Sequence, residues 1–269
     1  MNLKKYKYLN IKGTVLDKLQ LQNYMEKVAS NHEIVAGADK KTYPIPRLKD
    51  NFKFIEKTYN LLNEHVKLGI EIHPSGEWLL DNFYIIEETY KTVCMEMNLK
   101  KYKKFPGISN GIYKGFARDY VLAQEIVAYT DNKIDDDILY LTISSYQKKK
   151  LLSMEEIWNI WIFLEISIIE NIRNICEKIY SSQLQKYKVE NIIERLVEQK
   201  VSNKFKIKFK ETKPKPKQIF KELRYPFIEY MSYKLKKYGK QGLPYLEILD
   251  DEVRRTRNNC IRSNKKRTL

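Results

Sequence analysis

Between Ile157 and Ile169 the chain reads IWNIWIFLEISII, thirteen residues broken only by Asn159, Glu165 and Ser167. Such a run is too long for an ordinary strand and too short for a bilayer span, which takes about 20 apolar residues. It fits a helix buried in protein, with Trp158 and Trp161 expected to anchor the core and each indole N–H seeking an acceptor. Ser153 and Glu156 stand at capping-box spacing just before the run, and the helix is expected to extend to about Tyr180.

The helical period recurs on both sides. Val15, Leu19, Leu21, Met25 and Val28 mark a helix over 14–32, and Phe52, Ile55, Tyr59, Leu62 and Val66 mark one over 48–68, ended by Gly69. Pro74 and Ser75 open a third, on which Leu79, Phe83, Ile86, Tyr90, Val93 and Met97 form an apolar stripe. Further helices are read at 118–129, from Ile138 to Tyr146, beyond Val189, at 218–238 and at 244–257. Only nine Gly and eight Pro punctuate the 269 residues. The fold class is therefore all-α, a multi-helix bundle or irregular helical array, with one short edge strand in the alternation Phe205 to Lys210. Lys213-Pro214-Lys215-Pro216-Lys217 suits neither helix nor ladder. This divides the chain into a main helical domain at 1–200, a basic linker at 201–217 and a C-terminal helical segment with a basic tail at 218–269.

The formal net charge is +16. A basic balance can serve nucleic acid, anionic lipid or phosphate-bearing substrates, but here Lys and Arg are dispersed and accompany abundant Asn, Ile and Tyr. That pattern is read as AT-rich codon drift, with a nucleic-acid binder using Lys206 to Lys217 as the third-ranked reading. Cys94, Cys176 and Cys260 lack paired spacing, so neither a zinc site nor a disulfide framework is expected, and Cys94 and Cys176 read as small buried residues. No cofactor or metal is implied. The N-terminus has no apolar leader core, and the expected location is the cytoplasm, with peripheral attachment at the inner face of the plasma membrane.

Few residues point to chemistry. Asp135-Asp136-Asp137 has D-x-D spacing but opens a helix, where acids cap and complement the dipole. Glu77 and Asp81 lie one helical turn apart, as an acid and base pair could, and the same spacing serves helix-end pairing. Glu165, Glu170 and Arg173 interrupt the apolar helix, Glu170 and Arg173 at the i to i+3 spacing of a salt bridge; they are expected to tie this helix to its neighbours, the alternative being that they line an internal polar pocket. His32, His65 and His73 have no partner at ligand spacing, and phosphate-cradling glycine loops and nucleophile-elbow motifs are absent.

Four segments carry a resemblance. HPSGEWLLDNFYIIEE (73–88), FPGISNGIYKGFARDYVLAQEIVAYTD (105–131), SYQKKKLLSMEEIWNIWIFLEISIIENIRNI (145–175) and YPFIEYMSYKLKKYG (225–239) resemble, in the same order, the N-terminal region of bacterial cyclic β-1,2-glucan synthases. The resemblance spans roughly 14–255. Enzymes of that family are large membrane proteins that build β-1,2-glucan from UDP-glucose and close it into a ring. The matched region precedes their catalytic domains, so the resemblance implies a chain without that machinery, a truncated or stand-alone copy. Phe116-Ala117-Arg118 and Tyr129 depart from a Pro-Arg pair and a His usual in the family. The reading is a non-catalytic scaffold or docking module, partnered by the rest of a glucan synthase or its membrane-bound glycosyltransferase domain. The alternative is a β-1,2-glucan-binding or sugar-active pocket drawing on Glu77, Trp78, Asp81, Asn82, Arg118, Trp158, Glu170 and Arg173.

Overall fold

A computed structural model describes residues 11, 13–130, 133–194, 196, 225–251 and 253–254. Along them run α1 (Lys18–Asn31), α2 (Ile45–Lys67), α3 (Pro74–Glu96), the single turn α4 (Leu99–Tyr102), α5 (Arg118–Tyr129), α6 (Asp136–Gln147), α7 (Met154–Ile193) and α8 (Tyr225–Lys237), with further helix at 243–251. Two-residue strands β1 (Ile34–Val35) and β2 (Gly107–Ile108) pair antiparallel, Ile34 opposite Ile108. The fold is all-α.

Helix ends follow local chemistry. Asp17 and Gln20 form a reciprocal capping box at the start of α1. Asp135 caps α6 by accepting from the Ile138 amide, which is the use its D-x-D neighbourhood finds here. Ser153 and Glu156 complete the box at α7: the Glu156 carboxylate accepts from the Ser153 amide and hydroxyl, both at 2.8 Å. That helix continues unbroken to Ile193, well past Tyr180, and absorbs the separate helix expected beyond Val189.

The described residues fall in two compact units, one within Met1–Leu61 and Pro74–Lys178, the other within Leu62–His73 and Ile179–Leu269. The predicted edge strand and the 201–217 linker lie outside the described residues, as does Cys260.

In the first unit α2 and α3 join through aromatic faces: Phe52 stacks on Tyr90 with ring centres 4.1 Å apart, and Tyr59 on Phe83 at 4.0 Å. Leu79, Ile86, Val93 and Met97 of the α3 stripe are buried. α1 lies against α6, with Met25 and Ala29 fully buried. The strand pair appears where Gly107 allows close approach, since a Cβ there would meet the Gly37 carbonyl oxygen at 2.6 Å.

Trp158 and Trp161 do not anchor the core; they are 67% and 40% exposed. Ile160, Ile162, Phe163, Leu164, Ile166 and Ile169 fill the interior instead, and a 3.6-residue period leaves positions 158 and 161 on the outer sector. Cys176 is buried and burial pushes its thiol up to about 12, while Cys94 is half-buried. In the second unit Val189, Ile193, Met231, Leu235 and Leu249 form a small core. Tyr230 and Lys234 meet Glu190 at 2.5 and 2.7 Å beside it. No helix of the described residues is long and apolar enough to cross a membrane.

Candidate functional site

Helix α5 has almost no solvent face: Arg118 to Val127 are all buried, charged residues included. A charge in such a place must be paired, neutralised or hydrogen-bonded, and α5 uses all three solutions.

Arg118 is paired. Its Nε donates to Oε1 of Glu156 at 2.7 Å and its Nη2 to Oε2 at 2.5 Å, a two-point grip between the first turns of α5 and α7. Burial favours a neutral Glu156, but Arg118 and the Ser153 cap outweigh it and hold the carboxyl below its ordinary value. Asp119 is pushed toward its neutral form. Neither of its oxygens meets a donor, and burial, followed by the Glu156 charge, raises it well above the usual carboxylate range.

The remaining groups are hydrogen-bonded. Tyr120 and the Gln124 amide donate to Oε2 of Glu170 at 2.9 and 2.6 Å. Arg47 of α2 stands 3.4 Å from the other Glu170 oxygen as an ion pair without a hydrogen bond. Burial still raises the Glu170 carboxyl against these three partners. Glu125 accepts from Tyr24 at 2.8 Å and from Tyr113 in a shorter bond, and burial raises it too. His32 Nδ1 lies 2.9 Å from the Tyr146 hydroxyl; burial first, then Arg118 and Lys150, push the imidazole down to about 4, so it is neutral near pH 7.

The residues singled out from sequence therefore part company. Arg118 and Glu170 are inside this buried network. Glu77, Trp78 and Asp81 are exposed along the outer side of α3, where Asn82 donates to the Trp78 carbonyl in an ordinary intrahelical bond. Trp158 is exposed, and Arg173 is half-buried, 5.1 Å above the Phe54 ring and bonded to Glu177 at 2.8 Å. Glu170 thus ties α7 to α2 and α5, the role expected of the charges in this helix, while Arg173 pairs along α7 with Glu177. Asp119, Gln124, Glu125 and Arg47 escaped sequence reading, and His32, which has no partner at ligand spacing, meets Tyr146 across the fold. The available signal was that the polar residues of α5 sit among Val121, Leu122, Ala123, Ile126 and Val127, leaving no coherent outer face.

Chemically, the network is closed. Glu156, Glu170 and Glu125 are engaged with neighbouring side chains and Asp119 is buried, and among the described residues no group of three or more His, Cys, Asp or Glu could hold a metal ion. Another set of side chains is open to partners: Trp78, Tyr84, Ile85 and Met95 on α3, and Tyr140, Leu151, Met154, Trp158 and Trp161 on α6, the following loop and α7, are large, apolar or aromatic, and exposed. Large apolar side chains left open in this way are available for burial against a partner.

No protein-family model matches the chain. Over 152 residues, 56% of its length, it is 27% identical to a protein of Rhizobium meliloti (strain 1021), and the match takes in 5% of that much longer protein. That relative is the cyclic beta-(1,2)-glucan synthase NdvB, to which this chain is distantly similar.

Proposed function

We propose that the chain is a non-catalytic helical docking module for a UDP-glucose-dependent glycosyltransferase of the cyclic β-1,2-glucan synthase kind, working at the inner face of the plasma membrane. The observation that carries this reading is the division of labour between interior and surface. Arg118, Glu156, Glu170 and Glu125 are occupied with one another and with buried hydroxyls and amides, whereas Trp78, Tyr84 and Ile85 project from α3. An acid or base must reach a substrate proton, and buried groups that are already bonded are poorly placed to do so. A large exposed aromatic on a helix is suited to burial against a partner. The choice of partner class follows from the distant similarity to NdvB and is part of the proposal.

A second reading, binding of β-1,2-glucan, is favoured by the exposure of Trp78 beside Asp81, since a sugar ring can stack on an open indole. Both readings are tested by incubating the purified chain with labelled UDP-glucose and, separately, titrating it with β-1,2-glucan while following tryptophan fluorescence. The docking reading predicts no glucose transfer and no saturable quenching. Transfer to an acceptor by the chain alone would overturn it, and saturable quenching lost in Trp78→Ala would favour the second.

A further inference from the structure

Lysines far apart in the sequence converge where α4 meets the stretch 37–43. Tyr102, the inward residue of α4, is fully buried, and its hydroxyl lies 2.8 Å from that of Thr42, the inward residue of a 3₁₀ turn at Lys40–Thr42. Two further contacts run alongside. A Cβ on Gly37 would stand 2.9 Å from the Lys103 carbonyl oxygen, and the Tyr43 hydroxyl donates to the Met97 carbonyl at 2.7 Å. The two segments therefore lie side by side in opposite directions. The lysines they leave outside occupy neighbouring surface: Lys40, Lys41, Lys100, Lys103 and Lys104 are exposed and Lys101 is half-buried. None of these ammonium groups is in an ion pair among the described residues. The acids nearest in the chain are Asp39, whose Oδ1 accepts from the Lys41 amide, and Glu96, which stands beside Glu165 of α7. Like charges gathered in this way repel one another, a cost that an anionic partner reverses.

We propose that this lysine patch seats the chain on an anionic lipid bilayer. Three features choose lipid over nucleic acid. The two segments hold no arginine, whose planar fork suits phosphates and base edges, whereas lysine acts as a point charge toward a diffuse anionic surface. Their aromatic rings are spent: Tyr102 is buried and Tyr43 is tied to Met97, so neither offers a platform on which bases could stack. Beside the lysines, Leu99 is 40% and Met95 75% exposed, apolar side chains of the kind that enter the headgroup boundary. The inference gives a surface to the membrane attachment in the proposed function and rests on that part of it alone. The glycosyltransferase contact is assigned to other residues, Trp78 and Tyr84.

Co-sedimentation of the full chain with phosphatidylcholine vesicles, with and without about one-third phosphatidylserine, tests the patch. Binding is expected to the anionic vesicles alone, and it should fall by about tenfold or more when NaCl is raised from about 0.05 to 0.5 M. Lys100→Glu/Lys101→Glu/Lys103→Glu/Lys104→Glu should abolish binding with helix content by circular dichroism unchanged. Lys40→Gln/Lys41→Gln should weaken it by about threefold or more. Lys27→Glu/Lys53→Glu/Lys178→Glu/Lys188→Glu, an equal change of charge at exposed sites elsewhere, should leave it within about twofold. Met95→Ser/Leu99→Ser should weaken it without altering its salt dependence. No binding to anionic vesicles, an equal loss in both fourfold variants, or tighter binding to single-stranded RNA than to the anionic vesicles would overturn the proposal. The measurement contains no glycosyltransferase, so its failure leaves the docking contact standing, and failed docking leaves the patch standing.

Discussion

Arg118 holds Glu156 by two hydrogen bonds in a place where both side chains are almost wholly screened from solvent, while Glu156 also closes the capping box of α7. One carboxylate thus fixes the start of the longest helix and neutralises the first residue of α5. Removing one member of a buried pair leaves the other charged and unpaired, at a cost of about 3–5 kcal/mol, whereas replacing both with apolar residues costs far less. Arg118→Met and Glu156→Leu should each lower stability in urea by about that amount. The double variant should recover much of the loss in a double-mutant cycle.

The Ser153 half of the box is separable from the ion pair. Ser153→Ala removes the hydroxyl that accepts from the Glu156 amide and donates to its carboxylate, leaving the Arg118 grip intact. A loss of about 1 kcal/mol in chemical denaturation is expected, the usual worth of such a cap.

Acid should destabilise the fold through His32. Its folded value, about 4, lies below the unfolded value near 6.5, so the unfolded chain takes up the proton first. The contribution is fully present above pH 6.5 and is lost as pH falls through about 4. His32→Gln should lower stability at neutral pH by removing the contact with Tyr146, yet flatten the slope of stability against pH over that window.

Alkali acts in the opposite sense on the buried carboxyls. Asp119, Glu125 and Glu170 are all raised, and Glu165 is raised to about 7 by burial and then by Glu96. The folded state keeps protons that the unfolded chain has released, so the contribution is complete below about pH 4 and is lost as pH rises through each folded value. Glu165→Gln should flatten the fall in stability between pH 4.5 and 7. Asp119→Asn, which keeps a side chain of the same shape without an ionisable proton at this buried position, should be tolerated at pH 7 and should be favoured over wild type as the pH is raised. Urea titrations at successive pH values read both effects.

Local signals predicted local structure well. The period that placed Phe52 and Tyr59 on one helix and Phe83 and Tyr90 on the next also named the rings that stack. Asp135, Ser153 and Glu156 announced two helix starts, and Gly69, with φ at 69°, ends α2 as expected. Pairings between distant segments were not legible. Glu170 has a basic residue three positions on, yet its ion partner is Arg47, from another helix, because Glu170 points inward and Arg173 lies over Phe54. The β1–β2 pair is two residues long on each side and gives no alternation to read. Hydrophobicity also misplaced Trp158: an apolar run does not tell which residues face outward when smaller branched side chains can fill the interior.

The central claim, that the chain docks rather than catalyses, is tested most directly by the equilibrium binding of the purified full chain to a detergent-purified β-1,2-glucan synthase glycosyltransferase domain, read by biolayer interferometry. Saturable binding is predicted, weakened at least tenfold in Trp78→Ala/Tyr84→Ala, whose exposed side chains contribute little to folding. No binding, or binding unaffected by those two substitutions, would contradict the account.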